Sequence, residues 1–493
     1  MNIKKAKSQI TGAVKAYLAK DVYDGYLIPQ HKQRPLFLMG PPGIGKTEIM
    51  TQIAAELGIG LVSYSMTHHT RQSALGLPVI RHKVYDGEEY DVSEYTMSEI
   101  IASVYDMREK TGIKNGILFL DEINCVSETL MPVMLQFLQY KVFGGHKLPE
   151  GWVVVTAGNP PEYNNSVREF DVVTRDRLKH IDVEPDFEVW KEFAAANDVH
   201  NAVLTYLEIK PQHFYKTETT VNGKSFVTAR GWDDLGNMLK VYENCGIDGD
   251  KELISQYIQN ENIAADFAAY YELYKKYKSD YKISDILENK ADADIKQRAR
   301  KAGFDERYSL LGLLTEAVEK DAKNIIRREN VQTAALDILK TARDGKSDVN
   351  RIIEEETAKI EDKYKKLKAA NSLSNENDRY FKMLLSLLAH YKKAAENGGF
   401  DDVKAAFDGD IADFKAELDG VKRHFTNMFD FCGDVFGEGS RELLIIVTEL
   451  AANPFTAKYI ALYGCAEYHR HDKALMFYER KNEISQEIKK LNL

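Results

Sequence analysis

An α/β core on a parallel sheet, followed by a long helical region, is the fold class that this sequence predicts. Three observations lead there. Short apolar runs alternate with helical stretches over residues 1–185. A glycine-rich loop at 40–47 lies between one such run and a helical pattern. From residue 186 onward strand signals thin out, Pro nearly vanishes, and Lys, Glu, Ala and Leu recur at helical spacing.

The candidate strands are 36–39, 61–65, 117–121, 152–156 and 180–183. Their continuous Val, Ile and Leu content predicts strands buried on both faces, as in a parallel sheet. Residues 78–96, PVIRHKVYDGEEYDVSEYT, read as a hairpin around Asp86-Gly87, a turn pair that accepts positive φ. Residues 141–150, KVFGGHKLPE, precede the fourth strand. Polar breaks at 344–348, 371–378 and 397–399 divide the helical part. Ile353, Ile360 and Leu367 are spaced by seven in a charged stretch, which predicts a helix packing along one edge more than a coiled coil. Residues 441–463 read as core helices, and the tyrosines of AYYELYKKYKSDYK as packing with wet hydroxyls.

Bulk properties exclude several classes. A chain of 493 residues needs two or three domains. A net charge of −10 argues against a broad nucleic-acid surface. Cys125, Cys245, Cys432 and Cys465 have no C-x-x-C spacing and read as reduced thiols of a cytoplasmic protein. The N-terminal stretch lacks the apolar centre of a signal peptide, and no apolar run reaches the length of a membrane span. His68-His69 and His469-Arg470-His471 lack the spacing and acidic company of a metal site and read as solvated surface.

The loop Gly40-Pro41-Pro42-Gly43-Ile44-Gly45-Lys46-Thr47 fits G-x-x-x-x-G-K-[ST] at every fixed position. Its glycines let backbone N–H groups turn onto phosphate oxygens. Lys46 supplies a point charge to the outer phosphates, and Thr47 a hydroxyl to Mg²⁺. Glu48 opens the following helix. The strand Gly116–Leu120 ends in Asp121-Glu122, which places two carboxylates at the edge where α/β ligands bind. Asp121 would orient Mg²⁺, and Glu122 would polarise an attacking water. The next strand ends at Asn159, whose amide could bond both the γ-phosphate and that water; an Asx turn before Pro160-Pro161 is the rival reading. Arg175 and Arg177 have the fixed charge and forked donors of a finger for a neighbouring subunit's phosphate, against a surface ion cluster with Asp171 and Asp176. Arg230, at a helix start, could reach the nucleotide.

GPPGIGKT, GILFLDEIN, AGNPPEYNNSVREFD, TRDRL and FVTARGW resemble, in that order, the motif series of AAA+ ATPases, and in their wording the MoxR branch. The resemblance is close over residues 20–260. It implies a P-loop core at 1–185 with a hairpin insert near 78–96. A helical lid at 186–285 would carry sensor 2, and a helical C-terminal region at 286–493 would dock a partner or client. It implies ATP and Mg²⁺ as cofactors and a homo-oligomeric ring, usually a hexamer. Lys46 and Thr47 then belong to Walker A, Asp121 and Glu122 to Walker B, Asn159 to sensor 1 and Arg230 to sensor 2. Arg177 matches the finger; Arg175 departs from the expected apolar residue, which leaves the finger open between the two. Tyr85, Glu88, Glu89 and Tyr90 at the hairpin tip would face a client. The implied activity is ATP-driven, chaperone-like remodelling of a client with a von Willebrand factor A domain partner. A GTP-driven DNA restriction motor and a nucleotide-gated scaffold with slow hydrolysis are the alternatives.

Overall fold

In the computed structural model, residues 1–163, 167–168, 170–220, 223–344 and 349–473 are described. Nearly all of the expected break at 344–348 and part of the phrase around 164–169 therefore lie outside the described residues. The chain divides into two compact units, Met1–Val189 with Thr357–Lys382, and Trp190–Glu356 with Met383–Leu493. The segment expected as one C-terminal region is thus shared, because residues 357–382 go with the first unit.

The first unit is built on five strands: β1 Leu36–Met39, β2 Gly60–Ser65, β3 Gly116–Asp121, β4 Trp152–Gly158 and β5 Lys179–Asp182. They pair in the order β2-β3-β4-β1-β5, and every pair is parallel. β3 and β4 are buried almost throughout, as their unbroken apolar runs require. Phe37, Val62, Leu118, Leu120 and Val154 from the strands share one core with Ile101, Val104, Met134 and Phe137 from the helices Glu99–Thr111 and Met131–Tyr140. Helix Lys46–Leu57 starts directly from the glycine-rich loop and stops at Gly58, whose φ of 63° carries the left-handed cap.

The hairpin expected at 78–96 forms. Pro78–Tyr85 pairs with Glu88–Tyr95 across Asp86 (φ 51°) and Gly87 (φ 88°), the two positive φ values of a type I′ turn. Val142–Phe143 pairs with His146–Lys147, and His146 Nε2 lies 3.0 Å from the Tyr95 carbonyl oxygen at the base of the first hairpin.

The second unit centres on the helix Phe304–Asp344. Leu310, Leu314, Val318 and Ile325 on it share a core with Phe425 and Met428 of Phe400–Phe436 and with Ile446 and Tyr459 of the two helices that follow. The helical reading of 441–463 agrees with this. One antiparallel hairpin, Lys216–Thr220 with Gly223–Val227, interrupts a region expected to be helical throughout. Its Thr-rich alternation is a strand pattern that the surrounding helical texture masked.

Two other expectations need correction. Four of the tyrosine hydroxyls expected to be wet bond protein groups instead: Tyr270 to Thr205, Tyr271 to Glu243, Tyr274 to Glu316 and Tyr281 to Glu306. His471 is buried and stacked on Phe429, where a solvated histidine was expected. No disulfide joins any of the four cysteines, all of which lie among the described residues. Among the described residues no single helix is long and apolar enough to cross a membrane. The bent pair Arg441–Ala452 and Pro454–Tyr463 passes such a test only jointly, and its apolar face is in the core.

Candidate nucleotide site

Parallel pairing puts the C-terminal ends of β1, β3 and β4 side by side, so Met39, Asp121 and Gly158 open onto one edge. The loop after β1 turns through left-handed Gly43 (φ 74°) and Gly45 (φ 92°), a conformation that leaves its backbone N–H groups inward. Gly40 lies against Val183, and Ile44 is buried beneath the loop. Pro41 and Pro42 stiffen the approach.

Lys46 is 7% exposed, and its ammonium donates to the Gly40 carbonyl at 2.7 Å, the Pro41 carbonyl at 2.8 Å and Asn159 Oδ1 at 2.8 Å. Three oxygen acceptors thus surround the charge where phosphate oxygens would lie. The same contact shows that Asn159 aims its amide at the loop and not into an Asx turn. Thr47 Oγ1 donates to Asp121 Oδ2 at 3.0 Å, which joins the two expected Mg²⁺ residues. A hydroxyl and a carboxylate are the hard oxygen donors that Mg²⁺ selects, so this pair fits the ion. Glu48 stays exposed on the first helical turn and accepts from Gln52.

Glu122 has a left-handed backbone, φ 55° and ψ 36°, a conformation costing on the order of 1–3 kcal/mol for a non-glycine residue. Its carboxylate Oε2 accepts from Ser65 Oγ at 2.9 Å and Thr67 Oγ1 at 3.2 Å. Ser65 lies opposite Asp121 in the β2–β3 register, which brings its hydroxyl within reach of the next residue. Asn124 is 1% exposed and donates to the Asn159 carbonyl at 2.8 Å. A side chain at Gly158 would meet Asn124 Oδ1 at 2.5 Å, so glycine is required there. Sequence reasoning missed Ser65, Thr67 and Asn124. For Asn124 the signal was its place two residues after Glu122; for Ser65 and Thr67 nothing local marked them, since only strand pairing brings them to Glu122.

Among the described residues neither candidate finger side chain bonds a residue of this cluster. Arg175 is exposed on the short helix Val172–Asp176. Arg177, also exposed, donates to Gln139 Oε1 at 2.7 Å. Among the described residues no ion pair joins them to Asp171 or Asp176; Asp171 instead caps the helix through the Thr174 N–H at 2.7 Å. Val172 and Val173 beside them are 82% and 60% exposed. Arg230 is exposed on the first turn of Ala229–Cys245 in the second unit. His69 meets the Tyr64 ring edge to face, and no group of three or more metal-ligating His, Cys, Asp or Glu side chains occurs among the described residues.

Residues 35–178 match the AAA domain family of the dynein-related subfamily. No curated protein matches the chain. The matched stretch begins just before β1 and ends just after Arg177, and so takes in every site residue above except Arg230. Sheet order, loop geometry and family match together support an AAA+ ATPase domain over residues 35–178.

Proposed function

We propose that the protein is a Mg²⁺-dependent ATP hydrolase of the MoxR type that works as a ring, with a von Willebrand factor A domain protein as partner and a protein client to remodel. The observation that supports it best is the convergence of Lys46, Thr47, Asp121, Glu122 and Asn159 at one sheet edge. Lys46 and the loop N–H groups bind the triphosphate, and Thr47 and Asp121 are the residues that would hold Mg²⁺. The ion supplies charge neutralisation on the phosphates. Glu122 accepts a proton from the attacking water, and Asn159 orients that water against the terminal phosphate.

The ring is supported by the placement of the two arginines. Arg175 and Arg177 are exposed beside two exposed valines, a surface that a second copy could cover. A guanidinium offered across such a boundary stabilises the charge that develops on the transferred phosphoryl group. The long hairpin at 78–96 exposes Ile80, Val84, Tyr85 and Tyr90, which suits contact with a client or partner. The MoxR assignment and its partner class rest on motif wording.

ATP turnover measured against protein concentration tests this reading, with Glu122→Gln, Arg175→Ala and Arg177→Ala beside the wild type. A rate per chain that climbs with concentration and collapses in Glu122→Gln and one arginine variant is the expected result. A flat rate per chain, with both arginine variants unaffected, sinks the ring. Preference for GTP with stimulation by DNA would turn the assignment to a DNA motor.

A further inference from the structure

We propose that the helical turn at residues 367–372 is a positioning element of the ATPase site, acting through the edge strand β2 on Glu122. The inference rests on the ATPase reading above and assigns a task to a segment outside the matched domain. Residues 357–382 are the tip of a helical hairpin formed by Val349–Ala369 and Asn375–Gly398, and this tip belongs to the first unit.

The Ala370 carbonyl lies outside the turn's own hydrogen bonds. Asn371 is left-handed, φ 51°. Its N–H donates to the Lys368 carbonyl at 3.2 Å, and the Ser372 N–H donates to the Leu367 carbonyl at 3.1 Å. That pair of bonds is a Schellman cap, which satisfies the two carbonyls before the end of the helix. The Ala370 carbonyl takes no part in it and accepts instead from the Leu61 N–H at 3.1 Å. Ala370 is fully buried and shares its core with Val62 and Met66. Tyr364 donates to Asp378 at 2.8 Å and packs its ring near Phe381, which ties the hairpin's two helices together beside the turn.

Among the described residues β2 has a sheet neighbour on one side only, β3. On its outer side the Leu61 N–H would otherwise face solvent, as on any sheet edge. The bond to Ala370 therefore clamps β2 between β3 and the turn. Four residues further along the same strand is Ser65, and Thr67 follows in the next turn. These are the two hydroxyls that bond Glu122 Oε2. A strand is stiff over that length, so a shift at Leu61 moves Ser65 and Thr67 with it. A misplacement of about 1 Å in a positioning group can cost up to roughly 100-fold in rate. Both helices of the hairpin run on past residues 357 and 382 into the sequence of the second unit, so the element that orients Glu122 is covalently continuous with it.

The test uses the full chain and two variants of the turn. Asn371 is exposed and left-handed, so Asn371→Val strains the turn from outside the core, while Asn371→Gly keeps it. Ala370→Glu displaces it directly. Expected for Asn371→Val and Ala370→Glu are a kcat for ATP lowered roughly tenfold, an unchanged KM, and faster amide exchange over residues 61–67. Asn371→Gly keeps wild-type values, and Asn371→Val adds no further loss to Ser65→Ala. A merely structural turn would lower melting temperature without that split of kcat from KM and without non-additivity. Unchanged exchange over 61–67 in both variants overturns the proposal, as does a loss fully additive with Ser65→Ala. A wild type that turns over no ATP overturns the ATPase reading instead, and the exchange measurement still decides whether the turn holds β2.

Discussion

The two units place their polar side chains in opposite ways. In the first, Lys46, Thr47, Asp121, Glu122 and Asn159 sit at the open ends of strands and bond one another or a neighbouring loop. In the second, the comparable groups lie among packed helices. Tyr206 bonds Asp266, Tyr270 bonds Thr205, Tyr271 bonds Glu243 and Tyr281 bonds Glu306. His200 uses Nδ1 to accept the Ala202 N–H and lies 3.0 Å from Glu243 through Nε2, which fixes its tautomer. Groups at strand ends can exchange a protein partner for a ligand at little cost. Groups inside the helical unit cannot, because a lost partner there leaves a buried polar atom unsatisfied. Chemistry is thus expected from the first arrangement and cohesion from the second.

Substitutions can break or sharpen that contrast. The largest effect is expected for Glu122→Gln. Its kcat for ATP should fall on the order of 10²–10⁴-fold, with melting unchanged in calorimetry; a matching loss of stability would mean that Glu122 is structural. Trp232→Ala should do the reverse. Trp232 is fully buried against Tyr206 and Phe267 and donates to the carbonyls of His213 and Phe214. Its loss should cost about 3–5 kcal/mol in denaturant unfolding.

A pH experiment probes the helical interior more gently. Burial, with the Glu449 and Glu316 carboxylates close by, pushes Glu319 up to about 8. The folded state therefore holds a proton that the unfolded chain releases near the ordinary carboxylate value. This contribution to stability is full below that value and is lost as pH rises toward and through about 8. Melting temperature should fall over that window in the wild type and fall less in Glu319→Gln; parallel curves would remove Glu319 as the cause. The smallest effect is expected at the hairpin tip. Gly87→Ala, at φ 88°, should cost roughly 1 kcal/mol of local hairpin stability. Faster amide exchange confined to residues 78–95, with basal ATP turnover unchanged, is the expected readout.

Much of the candidate site was legible because its parts are local. A strand, a glycine-rich turn and a helix start are contiguous from Leu36 to Leu57, and the phosphate loop is readable from that stretch alone. Asp121-Glu122 and Asn159 were legible because each directly follows a continuous apolar strand. Ser65 and Thr67 were not, since their meeting with Glu122 depends on which strand pairs with β3. The hairpin at 216–227 was missed because its polar strands carry little apolar alternation and lie within helical sequence. His471 looked like surface because its neighbours in sequence are charged, whereas Phe429 on another helix buries it.

Local patterning by itself determined the α/β core, its five strands, the hairpin around Asp86-Gly87 and the glycine-rich loop of the candidate site. Each of these depends on backbone preferences within a few residues. Tertiary structure alone decided that residues 357–382 join the first unit, that Ala370 closes the edge of β2, and that two hydroxyls of β2 and its following turn reach Glu122. Those contacts join residues far apart in sequence, and they form because an exposed strand edge and a free helix-end carbonyl satisfy each other only when the packed core brings them together.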